Sequence, residues 1–138
     1  MEERTDRTVP PQHVLTILAV ANLDRSTRFY EQAFGWPATV RVPVYVEFEL
    51  PGGQRLGVYD REGFARNTGV LPSKVAPEGI SGTEIYLRCA DLDTTISRLE
   101  QAGARALSAK ALRPWGDEAA YFADPDGNVL VVARTVPS

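Results

Sequence analysis

Apolar and polar residues recur along this 138-residue chain in an order that is used twice. His13 to Val20 is dense in Val, Leu and Ile and predicts a buried strand. Asn22 or Asp24 can then cap a helix to about Phe34, with Leu23, Phe29, Tyr30, Ala33 and Phe34 on its apolar side. Gly35 ends that helix and Pro37 discourages its continuation. Thr39 to Val42 is a short strand candidate. Tyr45 to Leu50 alternates cleanly, with Val46, Phe48 and Leu50 on one face and Tyr45, Glu47 and Glu49 on the other. Pro51-Gly52-Gly53 is a turn, and Arg55 to Asp60 returns as the next strand. The first half therefore reads β-α-β-β-β.

The second half repeats the order. Glu84 to Ala90 predicts a strand, and Leu92 to Ala102 a helix capped by Asp91 or Asp93 and closed by Gly103. Ala104 to Leu112 and Ala119 to Ala123 are strand candidates, the turn Asp124-Pro125-Asp126-Gly127-Asn128 follows, and Val129 to Ala133 is the last strand. With Leu23 placed on Leu92, 69 residues on, Ala21/Ala90, Asp24/Asp93, Glu31/Glu100, Gln32/Gln101 and Ala33/Ala102 are identical. The chain thus divides into repeat one (about 13–60), a connection (about 61–82) and repeat two (about 83–134) within one domain, 1–138. From Gly63 to Gly82 the connection carries Gly, Pro and Ser at short intervals and reads as a linker or long loop, in which Phe64, Arg66 and Asn67 are the residues placed to touch something. Half of this size cannot bury its sheet alone. The predicted class is α+β: two βαβββ repeats forming a curved mixed sheet around a concave cleft, with the helices outside.

Composition changes this picture little. Hydrophobic content of 43% and charged content of 24% are those of a water-soluble domain, and a chain this long buries about 70% of its unfolded surface. A net charge of −3 disfavours nucleic acid as a partner. No apolar run reaches the roughly 18 residues of a membrane span. Cys89, the single cysteine, forbids an internal disulfide, sits in an apolar run as a small core residue or a reactive thiol, and fits a cytoplasmic protein. Met1 to Gln12 reads as a loose arm and Thr135 to Ser138 as a frayed tail.

Val20 to Tyr30 with Phe34-Gly35-Trp36, then Ala90-Asp91-Leu92, then Phe122-Ala123-Asp124-Pro125-Asp126-Gly127-Asn128, inside a βαβββ repeat, resemble the vicinal oxygen chelate superfamily. That superfamily holds glyoxalase I, extradiol dioxygenases, fosfomycin-modifying enzymes and bleomycin-binding resistance proteins, and the resemblance runs from about His13 to Arg134. It implies a homodimer, with halves paired within a chain or across two. It also implies, in metal-dependent members, His, Glu or Gln ligands at four equivalent strand positions. Seven residues before Asn22 and Asp91, and four after Gly53 and Gly127, those positions are Leu15, Glu84, Gly57 and Val131. Three of the four have no side-chain donor, so no metal and no cofactor is expected. His13, two before Leu15, is a shifted ligand, a base, or a residue of the pocket rim.

Period two places Leu15, Ile17, Tyr45, Glu47, Glu49, Arg55, Gly57, Tyr59, Glu84, Tyr86, Arg88, Val129 and Val131 on the concave side, with Trp36, Phe64 and Trp115 at its rim. The expected ligand site is Leu15, Tyr45, Glu47, Gly57, Tyr59, Glu84, Tyr86, Trp115 and Val131. Its aromatic faces and carboxylates suit a planar or cationic small molecule, and Gly57 would open space for it. The polar members can equally be solvated, with Glu47 and Glu49 paired to Arg55 or Arg88. Glu84 has three readings: a relic of a metal site, a ligand contact, or a general base with a raised pKa. The sequence leaves three functions open. The favoured one is a metal-independent binding protein resembling bleomycin-resistance proteins. The second is a lyase, isomerase or dioxygenase using Glu84 as acid/base or a metal site not recognised, and the third a module whose cleft is filled by its own side chains.

Overall fold

The short-range signals do most of the work of placing the helices. In the computed structural model, which describes residues 9–137, the Asn22 side chain accepts from the backbone N–H of Arg25 at 3.0 Å and starts α1 (Leu23–Phe34), and Gly35 closes it at φ 69°. The equivalent α3 (Leu92–Gln101) starts where Asp91 accepts from Thr94 N–H at 3.1 Å. Around them the strands are β1 (Thr16–Val20), β2 (Ala38–Val42), β3 (Tyr45–Glu49) and β4 (Arg55–Asp60), then β5 (Glu84–Arg88), β6 (Arg105–Leu112), β7 (Asp117–Ala123) and β8 (Val129–Thr135). The chain is α+β, two βαβββ modules, each a four-stranded mixed sheet. The orders are β1-β4-β3-β2 and β5-β8-β7-β6, with β1 parallel to β4 and β5 to β8. No helix among the described residues is long and apolar enough to cross a membrane.

Two elements differ from expectation. The connection is not all loop: α2 (Arg61–Thr68) follows β4 directly, with Asp60 capping Gly63 N–H and Gly69 ending it at φ 82°. Its cap signals stand in the sequence, but Gly63 inside the helix hides them. Gly63 lies against the ring of Tyr59, where an added Cβ would come within 2.6 Å of Cε1. The first strand begins at Thr16 rather than His13, because its partner strand begins at Arg55 and the first pairing is Thr16 with Leu56. The arm expected at 1–12 and the tail at 135–138 fall partly outside the described residues.

The ladders carry the repeat in their register. Ile17 faces Gly57 and Tyr86 faces Val131. Ile17 and Tyr86 are 69 residues apart, as the helices are, whereas Gly57 and Val131 are 74 apart. The five extra residues lie in one hairpin. Val42 pairs with Tyr45 across two residues, and its counterpart Ala111 pairs with Ala119 across seven, 112–118.

One core serves both modules. Leu18, Val20, Val46, Phe48, Leu56 and Val58 of the first sheet, Phe29, Tyr30 and Ala33 of α1, Leu92 and Leu99 of α3, and Ala120, Phe122, Leu130 and Val132 of the second sheet form a single buried cluster. Cys89 packs half-buried against it. Trp36, expected at the pocket rim, is buried in this core, stacked on Phe34 with ring centroids 4.4 Å apart. Its position directly after the helix that carries Phe34 and Tyr30 draws it inward. Polar contacts clamp the modules together. Tyr30 Oη donates to Asp124 Oδ2 at 2.5 Å, and Ala21 N–H and Ser26 Oγ donate to the two oxygens of Asp126 at 2.8 and 3.0 Å. Asp126 thereby sits at the N-terminus of α1, where a negative charge is stabilised.

Candidate functional site

Each strand turns alternate residues away from this core, and the predicted ligand residues sit there. Because both sheets bury their other face in one shared cluster, the two outward faces lie on opposite sides of it. The structure therefore divides the expected site in two. Leu15, Tyr45, Glu47, Gly57 and Tyr59 belong to the first module, and Glu84, Tyr86, Trp115 and Val131 to the second. Within the chain it does not bring the two groups together.

On the first face Glu47 is 7% exposed and fully engaged. It accepts from Tyr45 Oη at 2.7 Å and pairs with Arg55 at 3.1 Å. Burial, then the bond to Glu47, pushes the Tyr45 hydroxyl well above its ordinary pKa. Tyr45 and Tyr59 pack with ring centroids 5.1 Å apart. The space expected above Gly57 is filled by the Tyr45 ring: an added Cβ would stand 2.6 Å from Cε1 and 2.8 Å from Cζ. Gly57 admits a neighbouring side chain rather than a ligand. Phe64 and Asn67 of α2 reach this face, Asn67 Nδ2 donating to Tyr59 Oη at 3.2 Å and Phe64 lying edge-on to the Tyr59 ring. Leu15 lines a cavity of about 530 Å³ with Glu47, Arg55 and His13, whose Nε2 is 3.0 Å from Thr16 Oγ1. His13 lies before β1 and is exposed, as a rim residue would be.

On the second face the five extra residues make a difference. The extended hairpin ends at Asp117, which is 3% exposed and has no counterpart in the first module. Its Oδ2 accepts from Tyr86 Oη at 2.6 Å and from Arg88 Nη2 at 2.9 Å. Trp115, 54% exposed at the hairpin tip, donates from Nε1 to Tyr86 Oη at 2.7 Å. Below them Val131, Val129, Ala119 and Ala133 form a small buried floor with Tyr121 against it, and the Arg113 guanidinium lies 4.9 Å over the Tyr121 ring. Arg88, weighed as a partner for Glu47 or Glu49, pairs with Asp117 instead because it lies on the other sheet. Glu84 is exposed at the start of β5 rather than set in an apolar cleft, since β5 is an edge strand paired only to β8. Asp117 and Arg113 escape a reading by repeat because they stand in the inserted residues. Continuing the alternation back from Ala119 would have placed Asp117 on this face.

The Tyr86 bond, then Arg88, holds the Asp117 carboxyl below its ordinary 3.8. A folded pKa below the unfolded one means that this cluster adds stability above the unfolded value and loses it as pH falls through the folded value. An acid titration followed by tryptophan fluorescence is expected to show a Trp115 transition with its midpoint under pH 3.8, absent from Asp117→Asn. A midpoint at or above that pH would remove the cluster's claim to rigidity.

The four positions at which metal-dependent relatives hold their ion present Leu15, Gly57 and Val131, which offer no donor, and the single carboxylate of Glu84. Among the described residues, no three His, Cys, Asp or Glu side chains come together as a metal-binding group. Within the described residues of the chain, these four positions do not fit a metal.

Two βαβββ modules, each a four-stranded mixed sheet, are the glyoxalase-like fold. Residues 13–136 match the family model of the glyoxalase-like domain, and the chain belongs to that family, within the glyoxalase/bleomycin resistance/dioxygenase superfamily. Similar solved structures include a glyoxalase-related enzyme from Fulvimarina pelagi, with TM-score 0.78 and 24% identity over 90% of this chain and 88% of that one. A glyoxalase/bleomycin resistance protein/dioxygenase from Nocardioides has TM-score 0.77 and 24% identity over 98% and 91%. A lactoylglutathione lyase from Agrobacterium tumefaciens has TM-score 0.66 and 24% identity over 91% and 95%. No curated protein matches the chain.

Proposed function

We propose that this glyoxalase-like protein binds a small aromatic or cationic compound without a metal, and sequesters it rather than transforming it. The observation that carries this is the chemistry at the four family positions, where Leu15, Gly57 and Val131 offer no donor and only Glu84 offers a carboxylate, while aromatic side chains cluster on both outward faces. Trp115 and Tyr86 supply faces for stacking, and Glu84 supplies charge for a cation. The protein works as a homodimer. The two predicted residue groups lie on opposite sides of one core, so a pocket using both needs the first face of one copy and the second face of another. β1 and β5 are two of the four edge strands, with β2 and β6, along which two copies can meet.

A thermal-shift panel of planar aromatic and cationic compounds, glycopeptide antibiotics included, tests the binding. A ligand at about a hundred times its Kd stabilises by about 2.7 kcal/mol, a shift of several degrees. Trp115→Ala is expected to weaken an aromatic ligand and Glu84→Gln a cationic one, each by about tenfold. Turnover that disappears in Glu84→Gln while affinity stays intact would replace sequestration by catalysis. One zinc, nickel, manganese or iron per chain would remove the metal-free reading. Sedimentation is expected to give twice the 15.1 kDa chain mass.

A further inference from the structure

Residues 72–81 of the connection run past the loop 124–128 and, with it, line an open cavity of about 480 Å³ beside the end of β1. That size lies within the roughly 300–1,000 Å³ of small-molecule sites. Its wall carries three cations, Arg25, Arg61 and Lys74, against one carboxylate, Asp126. In a chain of net charge −3 this is a local surplus of the opposite sign. Asp126 is already committed: Ala21 N–H and Ser26 Oγ donate to it, and Arg25 lies 3.7 Å away. Arg61 and Lys74 are left over.

Arg61 is half satisfied. One terminal nitrogen donates to Pro72 O at 2.5 Å, while its Nε is buried without a hydrogen-bond partner. A buried charged donor without an acceptor is costly, and a group of this kind calls for an explanation in what completes it. An anion in the cavity would offset the charge surplus that Arg61 and Lys74 leave there.

We propose that this cavity binds a compact dianion carried by a small metabolite, a phosphate monoester or a dicarboxylate, with Arg61 and Lys74 as its cation contacts. It is separate from both outward faces, stands or falls independently of sequestration there, and lies at the seam where the connection meets both modules. An occupant would tie 72–81 to α2 and to the loop 124–128.

The test is isothermal titration of the full chain with inorganic phosphate and, separately, with succinate, at low ionic strength because such contacts are screened by salt. Saturable binding is expected for at least one dianion, with sodium chloride at matched ionic strength giving none. Lys74→Gln changes an exposed side chain, leaves folding unperturbed, and is expected to weaken binding by about tenfold. Arg61→Gln is expected to abolish it. Phosphate binding alone names a phosphorylated ligand, succinate alone a dicarboxylate, and either upholds the site. Saturation by neither dianion overturns the proposal, as does an affinity unchanged in Lys74→Gln.

Discussion

Asp124→Ala is expected to lower the unfolding free energy by about 3–5 kcal/mol. Asp124 is 5% exposed and accepts four hydrogen bonds: from Tyr30 Oη, from the backbone N–H groups of Asp126 and Asn128, and from Asn128 Nδ2. Truncation leaves all four donors without an acceptor in the seam between the modules. Tyr30→Phe removes only one of them and should cost about 1–2 kcal/mol. Burial raises the Asp124 pKa above its ordinary 3.8, outweighing the hydrogen bonds that lower it. A raised folded value reverses the usual acid behaviour: the stabilising contribution is full below the unfolded pKa and declines as pH rises through the folded one. The stability gap between wild type and Asp124→Asn should therefore narrow with rising pH. Urea unfolding at a series of pH values measures it, and a gap that widens would contradict the burial argument.

Gly57→Val should cost about 1–3 kcal/mol, from displacement of the half-buried Tyr45 ring and from loss of the bond that ring makes. The added atoms displace Tyr45, and with it the hydroxyl that serves the buried Glu47. A double-mutant cycle separates this from a general intolerance of side chains on β4. In a Tyr45→Ala background the same Gly57→Val change should be markedly cheaper, because the clash has gone. Equal costs in both backgrounds would mean that Tyr45 is not what Gly57 accommodates.

The molecule's architecture was largely written in its periodicity. The offset of 69 residues between Leu23 and Leu92 recurs in the ladders, and the 74 separating Gly57 from Val131 anticipated an insertion. Alternation also assigned faces correctly: Val46 and Phe48 point into the core, Tyr45 and Glu47 out of it. What it could not express was the relation between modules. Period two says that Leu15 and Glu84 lie on outward faces but not that a shared core turns those faces apart. The contacts that decide this, Tyr30 with Asp124 and Ser26 with Asp126, join residues about a hundred positions apart in what read locally as a helix face and a turn. Gly57 was misjudged for a related reason. The space over a glycine belongs to whichever neighbour can swing into it, and pairing of Tyr45 with Tyr59 beside it puts that ring within reach. Asp117 and Arg113 escape reasoning by repeat, which is blind where one copy has the longer hairpin.

The hairpin at 112–118 lengthens one module and leaves β7 paired with β8 in the register of its equivalent, while β6 meets β7 through an extra irregularity between Ser108 and Ala111. Its tip stands clear of the shared core. Pro114, Trp115 and Gly116 at the tip are exposed, whereas Arg113 and Asp117 at its base are held by hydrogen bonds to the sheet. Exchanging only the exposed tip, 114–116, should therefore alter what the second face presents while leaving Asp117 in place and the melting temperature nearly where it was.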